Sequence, residues 1–348
     1  MKVGHRVWLE LDSRFFGKGP AELLRRVDQT HSLRQAARQL DLSYTKAFNI
    51  IKLAEQQLGY PLLVRTIGGE SGGGSQLSEQ GKQLLANYDV IEAAVAKKAQ
   101  ESFALLEQQQ LMVALERYRE RQLISVIGGG GKTTLVNYLT QYRAQRGPTL
   151  LSCTTAMYRP QDMPVDYGLI TSVGNPIALF SHIIRENKVK GVEPEVLDGL
   201  AMQGRFASII CEADGSKGRP FKAYGANEPP IPSKSDLVML VMGVDGFGEP
   251  IEAIVHRPEI FAEATGAMAD EPLTVAHFLT YFAHPMGSLK NTPDCPVVVI
   301  LNRKDQLKDR SVLTPLVQGL FQEKRVEEVW LCELVDGRLE QVFTRPVQ

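Results

Sequence analysis

The chain has 348 residues, which at about 150 residues per domain corresponds to two or three domains. Hydrophobic residues make up 43% and charged residues 23% of the chain, a balance that excludes disordered and fibrous proteins. The net charge of −1 divides unevenly, because residues 1–82 contain 12 Lys and Arg against 8 Asp and Glu, whereas the remainder contains 27 against 32. A basic first part and an acidic second part indicate two domains with different partners.

Three features predict a cytoplasmic protein without a membrane segment. No apolar run approaches the roughly 20 residues of a membrane helix, and residues 1–10 lack the pattern of a signal peptide. The four cysteines show no CxxC spacing, which favours reduced, buried thiols over a disulfide framework or a zinc site. They are Cys153, Cys211, Cys295 and Cys332.

The first part of the chain predicts a winged helix-turn-helix domain. After a short strand near residues 7–11, two amphipathic helices flank a tight break at 41–43, which is typical of this motif. The alanines at 36–37 are small where the helices cross, and the hydroxyl of Ser43 can cap the second helix, predicted over Tyr44–Leu58. Strands on either side of the glycine-rich residues 68–74 would form the wing.

A helical pattern then extends from residue 79 to about residue 122. Its apolar residues recur at steps of four, three and four, which forms a short seam. They are Leu84, Tyr88, Ile91 and Val95. The seam is compatible with a linker helix that packs on its own domain and with a dimerisation helix. We place the DNA-binding domain at 1–82, this linker or dimerisation helix at 83–110, and a nucleotide-binding domain at 111–348.

Beyond residue 122, strand-like runs alternate with helices, which predicts an α/β fold with a mostly parallel sheet. The runs cover residues 123–127, 149–153, 207–211, 237–242, 297–301 and 329–332.

The strongest chemical motif lies between the first of these strands and a helix. The loop consists of Gly128, Gly129, Gly130 and Gly131, followed by Lys132, Thr133 and Thr134. Glycine backbone N–H groups can wrap a phosphate chain at the positive end of a helix, and the motif assigns Lys132 to the β- and γ-phosphates and Thr133 to Mg²⁺. Valine stands six residues before the lysine, so the motif is a shorter variant of the P-loop. The alternative is a glycine-rich turn with an incidental lysine.

A second motif resembles the acidic strand end of nucleotide hydrolases. The apolar strand 207–211 ends in Glu212 and Asp214, either of which can hold Mg²⁺ or orient an attacking water. Lys217, Arg219 and Lys222 follow closely enough to meet an anion. Acidic residues at strand ends are common, so this motif indicates nucleotide hydrolysis only in combination with the P-loop.

A third motif, Asn302-Arg303-Lys304-Asp305, resembles the NKxD loop with which GTPases read the base. Asp305 would accept hydrogen bonds from two guanine N–H groups that adenine lacks, and Asn302 would contact the ring edge. GTP is therefore favoured over ATP. The alternative is that Asp305 caps the following helix. Among the remaining polar clusters, His256 is compatible with an ordinary structural histidine and with a catalytic one.

The first hundred residues resemble the N-terminal winged-helix domain of the molybdate-responsive regulator ModE. The resemblance rests on VWLE at 7–10, GKG at 17–19, LL at 23–24, SLRQAA at 32–37, LSY at 42–44 and GGG at 72–74. It implies that double-stranded DNA is a partner and that a set of residues faces it. This set comprises Ser43, Tyr44, Thr45, Lys46 and Asn49 in the major groove, and Arg65 near the wing.

Residues from about 111 onward resemble the YqeC family, which is associated with the maturation of selenium-dependent molybdenum hydroxylases. The resemblance rests on GGGGKTT at 128–134, TT at 154–155, EADGSKGRP at 212–220 and VHRPE at 255–259. It implies a molybdenum hydroxylase or its cofactor as a partner.

Together these features predict a P-loop NTPase-like α/β domain preceded by a winged helix-turn-helix and a linker helix, in a homodimer. The expected function is that of a Mg²⁺-dependent nucleotide hydrolase that assists hydroxylase cofactor maturation and binds DNA. Its rival is a transcriptional regulator whose P-loop domain only senses nucleotide or cofactor. A winged helix retained only for dimerisation is a third possibility.

Overall fold

The computed structural model describes residues 3–66 and 74–345. The chain divides into two compact units, Met1–Leu105 and Leu106–Gln348. The predicted wing tip, apart from Gly74, lies outside the described residues. Among the described residues, no helix is long and apolar enough to cross a lipid bilayer.

The first unit contains the helix-turn-helix and the wing strands. Its elements are β1 (Trp8–Glu10), β2 (Arg14–Gly17), α1 (Lys18–Thr30), α2 (Leu33–Gln39), α3 (Tyr44–Leu58), β3 (Leu63–Thr66), β4 (Gly74–Leu77) and the start of α4 (Glu79–Glu116). The strands pair antiparallel, β1 with β2 and β3 with β4. The predicted α3 is confirmed at both ends.

Local capping explains where these helices begin and end. The Ser43 hydroxyl accepts a hydrogen bond from the backbone N–H of Lys46, as predicted, and Gly59 ends α3 in the left-handed conformation. Ala36 and Ala37 are buried, as predicted where α2 and α3 cross. The small side chains allow the two helices to approach closely.

The long helix α4 ends at Glu116, six residues before the predicted end, and Arg117–Glu120 form a turn before the next strand. Its predicted apolar seam has two environments. Leu84 and Tyr88 are buried in the core of the first unit, whereas Ile91 and Val95 are exposed. The first pair thus packs on its own domain, and the exposed pair leaves the dimerisation alternative open.

The second unit begins within α4 and has an α/β fold. Its strands are β5 (Leu123–Gly128), β6 (Thr149–Cys153), β7 (Ala156–Tyr158), β8 (Val165–Tyr167), β9 (Ile177–Phe180), β10 (His182–Arg185), β11 (Lys188–Lys190), β12 (Ser208–Glu212), β13 (Phe221–Lys222), β14 (Leu237–Gly243), β15 (Val255–His256), β16 (Val297–Asn302), β17 (Val326–Glu333) and β18 (Arg338–Thr344). Its helices are α5 (Lys132–Ala144), α6 (Pro194–Met202), α7 (Ile251–Ile254), α8 (Pro258–Thr265), α9 (Val275–Ala283) and α10 (Leu313–Leu320).

Within the described residues, nine strands form the main sheet in the order β18-β17-β16-β14-β5-β12-β6-β9-β8. Its pairs are parallel, except that β18 runs antiparallel to β17 at the edge. The predicted mostly parallel sheet is therefore confirmed. In such a sheet the carboxyl ends of the strands lie along one edge, where ligands usually bind.

Two apolar cores cover the two faces of this sheet. Successive residues of β5 alternate between them, because side chains alternate along a strand. Leu123 belongs to the core beside α6, α9 and α10, whereas Ile124 belongs to the core beside α5 and the end of α4. All four cysteines are buried and unpaired, as predicted.

A small antiparallel sheet of β10, β11 and β7 was not predicted, nor were the strands β8 and β9 at one end of the main sheet. These strands have only three or four residues, and the strand β10 is exposed along its whole length. Such short segments carry too few residues for a periodic apolar pattern.

Candidate functional site

The glycine loop joins the buried strand β5 to α5. Gly128, Gly130 and Gly131 have φ values of 98°, 72° and 139°, which L-residues with a side chain rarely adopt. The loop also packs tightly, since a Cβ atom on Gly130 would lie 2.6 Å from the backbone nitrogen of Gly243. Both conformation and space therefore require glycine here.

Lys132 begins α5 and folds back over the loop. Its Nζ donates to the carbonyl oxygen of Gly128 at 2.6 Å and lies 2.9 Å from Asp214 Oδ1. Asp214 Oδ2 accepts from the backbone N–H of Gly128 and from the Tyr224 hydroxyl, each at 2.8 Å. The side chains of Lys132 and Asp214 are 4% and 0% exposed, so the pair is desolvated.

The charge state of Asp214 follows from these partners. Burial alone would raise the pKa of its carboxyl group, but the ammonium groups of Lys132 and Lys222 hold that pKa below its usual range. Asp214 is therefore an anion that fixes the lysine and the loop backbone together.

Thr133 and Glu212 form a second contact beside this pair. The Thr133 hydroxyl donates to Glu212 Oε2 at 2.8 Å, where β12 ends next to β5. Burial raises the pKa of Glu212, although Lys132 and Thr133 oppose the shift. A hydroxyl beside a carboxylate provides two oxygens of the type that Mg²⁺ prefers.

The predicted metal ligands thus have different environments. Asp214 Oδ2 accepts hydrogen bonds from Gly128 and Tyr224, and Asp214 Oδ1 forms an ion pair with Lys132 but no hydrogen bond within the described residues. Glu212 contacts the Thr133 hydroxyl. The described residues contain no group of three or more His, Cys, Asp or Glu side chains arranged to hold a metal ion.

Asn302, at the end of β16, lies against the glycine loop. Its Nδ2 donates to the carbonyl oxygen of Gly130 at 2.7 Å, and its Oδ1 accepts from the backbone N–H of Leu334 at 2.9 Å. Asp305 pairs with Arg338 and with Lys304 Nζ, the latter at 3.0 Å. The structure thus brings Asn302 to the loop backbone, and it gives the carboxylate of Asp305 two cationic partners.

The other predicted anion-binding residues differ in what they contact. Lys217 and Thr134 are exposed. The guanidinium of Arg219 donates to the carbonyl oxygens of Glu252 and Val255, the latter at 3.0 Å. Arg219 therefore holds the chain around α7. In the bend that follows β6, the hydroxyl groups of Thr154 and Thr155 are buried and have no hydrogen-bond partner among the described residues.

All six predicted DNA-contacting residues are exposed on the first unit. They are Ser43, Tyr44, Thr45, Lys46, Asn49 and Arg65. The guanidinium of Arg65 lies 4.7 Å from the ring centre of Phe48, a cation–π distance. This contact connects the wing strand β3 with α3.

Sequence reasoning missed Tyr224 and the role of Asn302 as a loop anchor. Tyr224 lies ten residues from Asp214 along the chain, and no spacing rule connects a tyrosine to an acid at that distance. The position of Asn302 at the end of a strand was the available signal, but sequence alone could not show which neighbour its amide would contact.

Family models match both parts of the chain. The model for YqeC protein matches residues 124–259, and the model for bacterial regulatory helix-turn-helix proteins of the lysR family matches residues 21–82. The former range contains the glycine loop, Glu212 and Asp214. The latter contains α3 and all six predicted DNA-contacting residues.

Individual relatives agree with this division. YqeC of Escherichia coli (strain K12) is 34% identical over 236 residues, which cover 64% of this chain and 92% of that protein. The molybdenum-pterin-binding protein MopB of Rhodobacter capsulatus is 36% identical over 91 residues, 26% of this chain and 34% of that protein. The transcriptional regulator ModE of Haemophilus influenzae is 36% identical over 70 residues, 20% of this chain and 28% of that protein.

MopB and ModE are thus matched over about a third of their length or less, whereas the Escherichia coli protein is matched over nearly its whole length. The chain belongs to the YqeC family and carries, before the YqeC domain, a DNA-binding helix-turn-helix domain of the regulatory lysR type.

Proposed function

We propose that the YqeC domain binds and hydrolyses a nucleoside triphosphate at the glycine loop, in support of molybdenum-hydroxylase cofactor maturation, and that the helix-turn-helix domain binds double-stranded DNA. The observation that carries the nucleotide proposal is the buried Lys132–Asp214 pair, which fixes an ammonium group over a loop that only glycines can form.

The loop provides groups of the right kind for a phosphate chain. Its backbone N–H groups precede the N-terminus of α5, where the helix dipole favours an anion. Lys132 adds a positive charge whose position is set by Asp214 and by the Gly128 carbonyl. Triphosphate oxygens would compete with that carbonyl for the ammonium protons.

Mg²⁺ fits the side chains beside the loop. Thr133 and Glu212 would hold it, since their oxygens already lie 2.8 Å apart at the edge of the phosphate position. When bound, the ion would neutralise charge that develops on the transferred phosphoryl group. Asp214, which is also predicted as a ligand, is better explained as the group that positions Lys132, because two hydrogen bonds and the ion pair with Lys132 already engage it.

GTP remains the proposed nucleotide, with Asp305 as the group that recognises guanine. The carboxylate now pairs with Arg338 and Lys304, so guanine would have to share it with these cations or displace Arg338. Asn302 would contribute through the loop, because its amide already bonds to Gly130. Lys217 remains a candidate for the phosphates, since its side chain is exposed.

The molybdenum context rests on the relatives. The helix-turn-helix region is similar to proteins described as a molybdenum-pterin-binding protein and as the regulator ModE. A link to selenium comes only from the resemblance of the second domain to its family. A molybdenum hydroxylase, or its cofactor, is accordingly the partner that we propose for the hydrolysis.

A second candidate function is a regulator that senses nucleotide without consuming it. It is favoured by Glu107, near the end of α4, which pairs with Lys304 at 3.4 Å and with Arg338 at 3.1 Å. These contacts join the helix that follows the DNA-binding domain to the loop after Asn302 and to the start of β18. A shift of Lys304 or Arg338 when nucleotide binds would therefore act directly on Glu107 in α4.

Turnover distinguishes the two candidates. The full-length protein is incubated with excess Mg²⁺ and nucleoside triphosphate, and phosphate release is counted per protein molecule. An enzyme releases many phosphates for each molecule of protein. A sensor releases at most one, and its affinity for DNA changes when the nucleotide binds.

A further inference from the structure

A basic cluster lies next to the glycine loop, where Pro220 packs against Gly129. It is built on two short strands, β13 and β15, which pair in parallel with Lys222 opposite His256. We define it as Lys222, Glu228, His256 and Arg257, and the nucleotide proposal assigns no role to these residues.

Lys222 is the least accessible member of the cluster. Its side chain is 0% exposed, and its Nζ has no hydrogen-bond partner among the described residues. Glu228 Oε2 lies 3.5 Å away, which is an ion-pair distance but too long for a good hydrogen bond. A buried ammonium group without hydrogen bonds is costly, and it usually indicates an absent partner.

Glu228 does not neutralise the cluster, because it forms ion pairs with both Lys222 and Arg257. The two guanidinium nitrogens of Arg257 contact the two oxygens of Glu228, one of these contacts at 3.0 Å. Asp214 also attracts the Lys222 ammonium, but it is shared with Lys132. Three cations, Lys132, Lys222 and Arg257, therefore share the carboxylates of Asp214 and Glu228.

His256 gives a second, independent indication of an absent partner. Its Nδ1 is buried and has no hydrogen-bond partner among the described residues. Burial and the charges of Lys222, Arg257 and Lys217 lower the pKa of His256, against the opposing effect of Glu228. These cations therefore lie close to the ring, and an anion bound among them would satisfy the imidazole as well.

The cluster is accessible from solvent. The side chains of Arg257 and Glu228 are 31% and 24% exposed, and Lys217 at its edge is exposed. Arg257 has a φ of 67°, a left-handed conformation that is strained for a residue with a side chain and recurs at binding sites. The backbone at Arg257 is thus held in place by its surroundings.

We propose that Lys222, His256 and Arg257 form a binding subsite for a tetrahedral oxyanion, distinct from the position of the nucleotide phosphates. The ligand is a free oxyanion or the phosphate ester of a small molecule, and its oxygens accept from the Lys222 ammonium, the His256 ring and the Arg257 guanidinium. When no ligand is bound, Glu228 partly neutralises the positive charge of the subsite. The proposal does not depend on nucleotide binding.

The test is equilibrium binding of inorganic phosphate, molybdate and glycerol phosphate to the full-length protein without nucleotide, by isothermal titration calorimetry. Saturable binding of at least one of the three is expected. Free oxyanions alone would identify an ion site, and preference for glycerol phosphate would identify an ester site. Either result supports the subsite, and no saturable binding at millimolar concentration overturns it.

Variants locate the binding. Lys222→Met should weaken it at least about tenfold, the expected loss for one charge-assisted contact, and His256→Gln should weaken it less. Glu228→Gln should strengthen it, because a competing carboxylate is removed. Lys234→Met, at an exposed lysine outside the cluster, is the matched control and should have no effect.

Two outcomes would contradict this location. If Lys132→Met abolishes oxyanion binding while His256→Gln and Glu228→Gln leave it unchanged, the anion occupies the glycine loop and the subsite does not exist. If Lys222→Met does not fold, the other two variants test the subsite. His256→Gln should weaken oxyanion binding and Glu228→Gln should strengthen it, and unchanged binding in both overturns the proposal. Failure of nucleotide binding alone leaves these expectations intact.

Discussion

The amide group of Asn302 donates a hydrogen bond to the carbonyl oxygen of Gly130 over 2.7 Å, while its oxygen accepts from the backbone N–H of Leu334. One side chain at the end of β16 thus bridges the glycine loop and the end of β17. Because Asn302 is buried, both bonds are shielded from water and fix the loop relative to the sheet.

Replacement of this bridge should affect both stability and ligand binding. Asn302→Ala leaves two buried backbone groups without partners, at a cost of about 1–3 kcal/mol for each. We expect a lower free energy of unfolding in urea and weaker nucleotide binding. Asn187→Ala, at an exposed turn, is the control. Equal stability of Asn302→Ala and wild type would contradict the bridging role.

The buried Glu212 should make Mg²⁺-dependent nucleotide binding sensitive to acid. Burial raises its pKa above 4.5, so the carboxylate becomes protonated at a higher pH than in a free glutamate. Affinity for the Mg²⁺ complex, followed by fluorescence titration from neutral pH downward, should fall as the pH approaches that raised pKa. Glu212→Gln should bind weakly throughout, with this decrease removed.

The sign of this effect is opposite for Asp214. Its pKa is lowered, so it remains charged, and its contribution to stability is lost only as the pH falls below the usual aspartate range. Loss of Mg²⁺-dependent binding while the protein is still folded is therefore expected for wild type. A decrease that coincides with unfolding would contradict the role of Glu212.

Base preference tests Asp305. GTP should bind better than ATP or CTP, and Asp305→Asn should remove the preference, because an amide presents one donor where guanine needs two acceptors. Competition between the three nucleotides on both proteins measures this. Asp305 pairs with Arg338 and Lys304. If the variant keeps the preference for GTP, Asp305 takes part only in these ion pairs and does not recognise guanine.

DNA binding by the full-length protein should depend on salt. Each phosphate contact contributes about 0.9 to the slope of log affinity against log salt concentration. Lys46→Ala should weaken DNA binding and reduce the magnitude of this slope by about 0.9, the contribution of one phosphate contact. The matched control is Lys98→Ala on α4, whose side chain is 77% exposed. Equal losses in both variants would argue against α3 as the DNA-contacting helix.

Much of this fold could be predicted from the sequence because long periodic elements dominate it. The helix α3 and the buried strands β5, β12, β14 and β16 have apolar patterns that fix their type. Capping by Ser43 was equally predictable, since it involves a residue three positions away. Local chemistry was sufficient in each case.

The details of the site depended on contacts between distant residues. Lys132 and Asp214 are far apart in sequence, and nothing local indicated that their charges would pair in a desolvated position. The same holds for the hydrogen bond between Asn302, which is predicted to contact the base, and the carbonyl oxygen of Gly130. Sequence motifs identified which residues meet at the sheet edge, but not which atoms they contact.

The most direct measurement is binding and turnover of Mg²⁺–GTP and Mg²⁺–ATP by the full-length protein and by Lys132→Ala. Loss of one charge-assisted contact of about 1.5–3 kcal/mol should weaken binding by at least about tenfold. Because Asp214 would lose its buried partner, a second variant that combines Lys132→Met with Asp214→Asn removes both charges and guards against unfolding. Saturable binding by wild type, with phosphate release over many turnovers and loss of affinity in both variants, is the expected result. No binding by wild type, or equal affinity in a folded variant, would contradict nucleotide binding at the glycine loop.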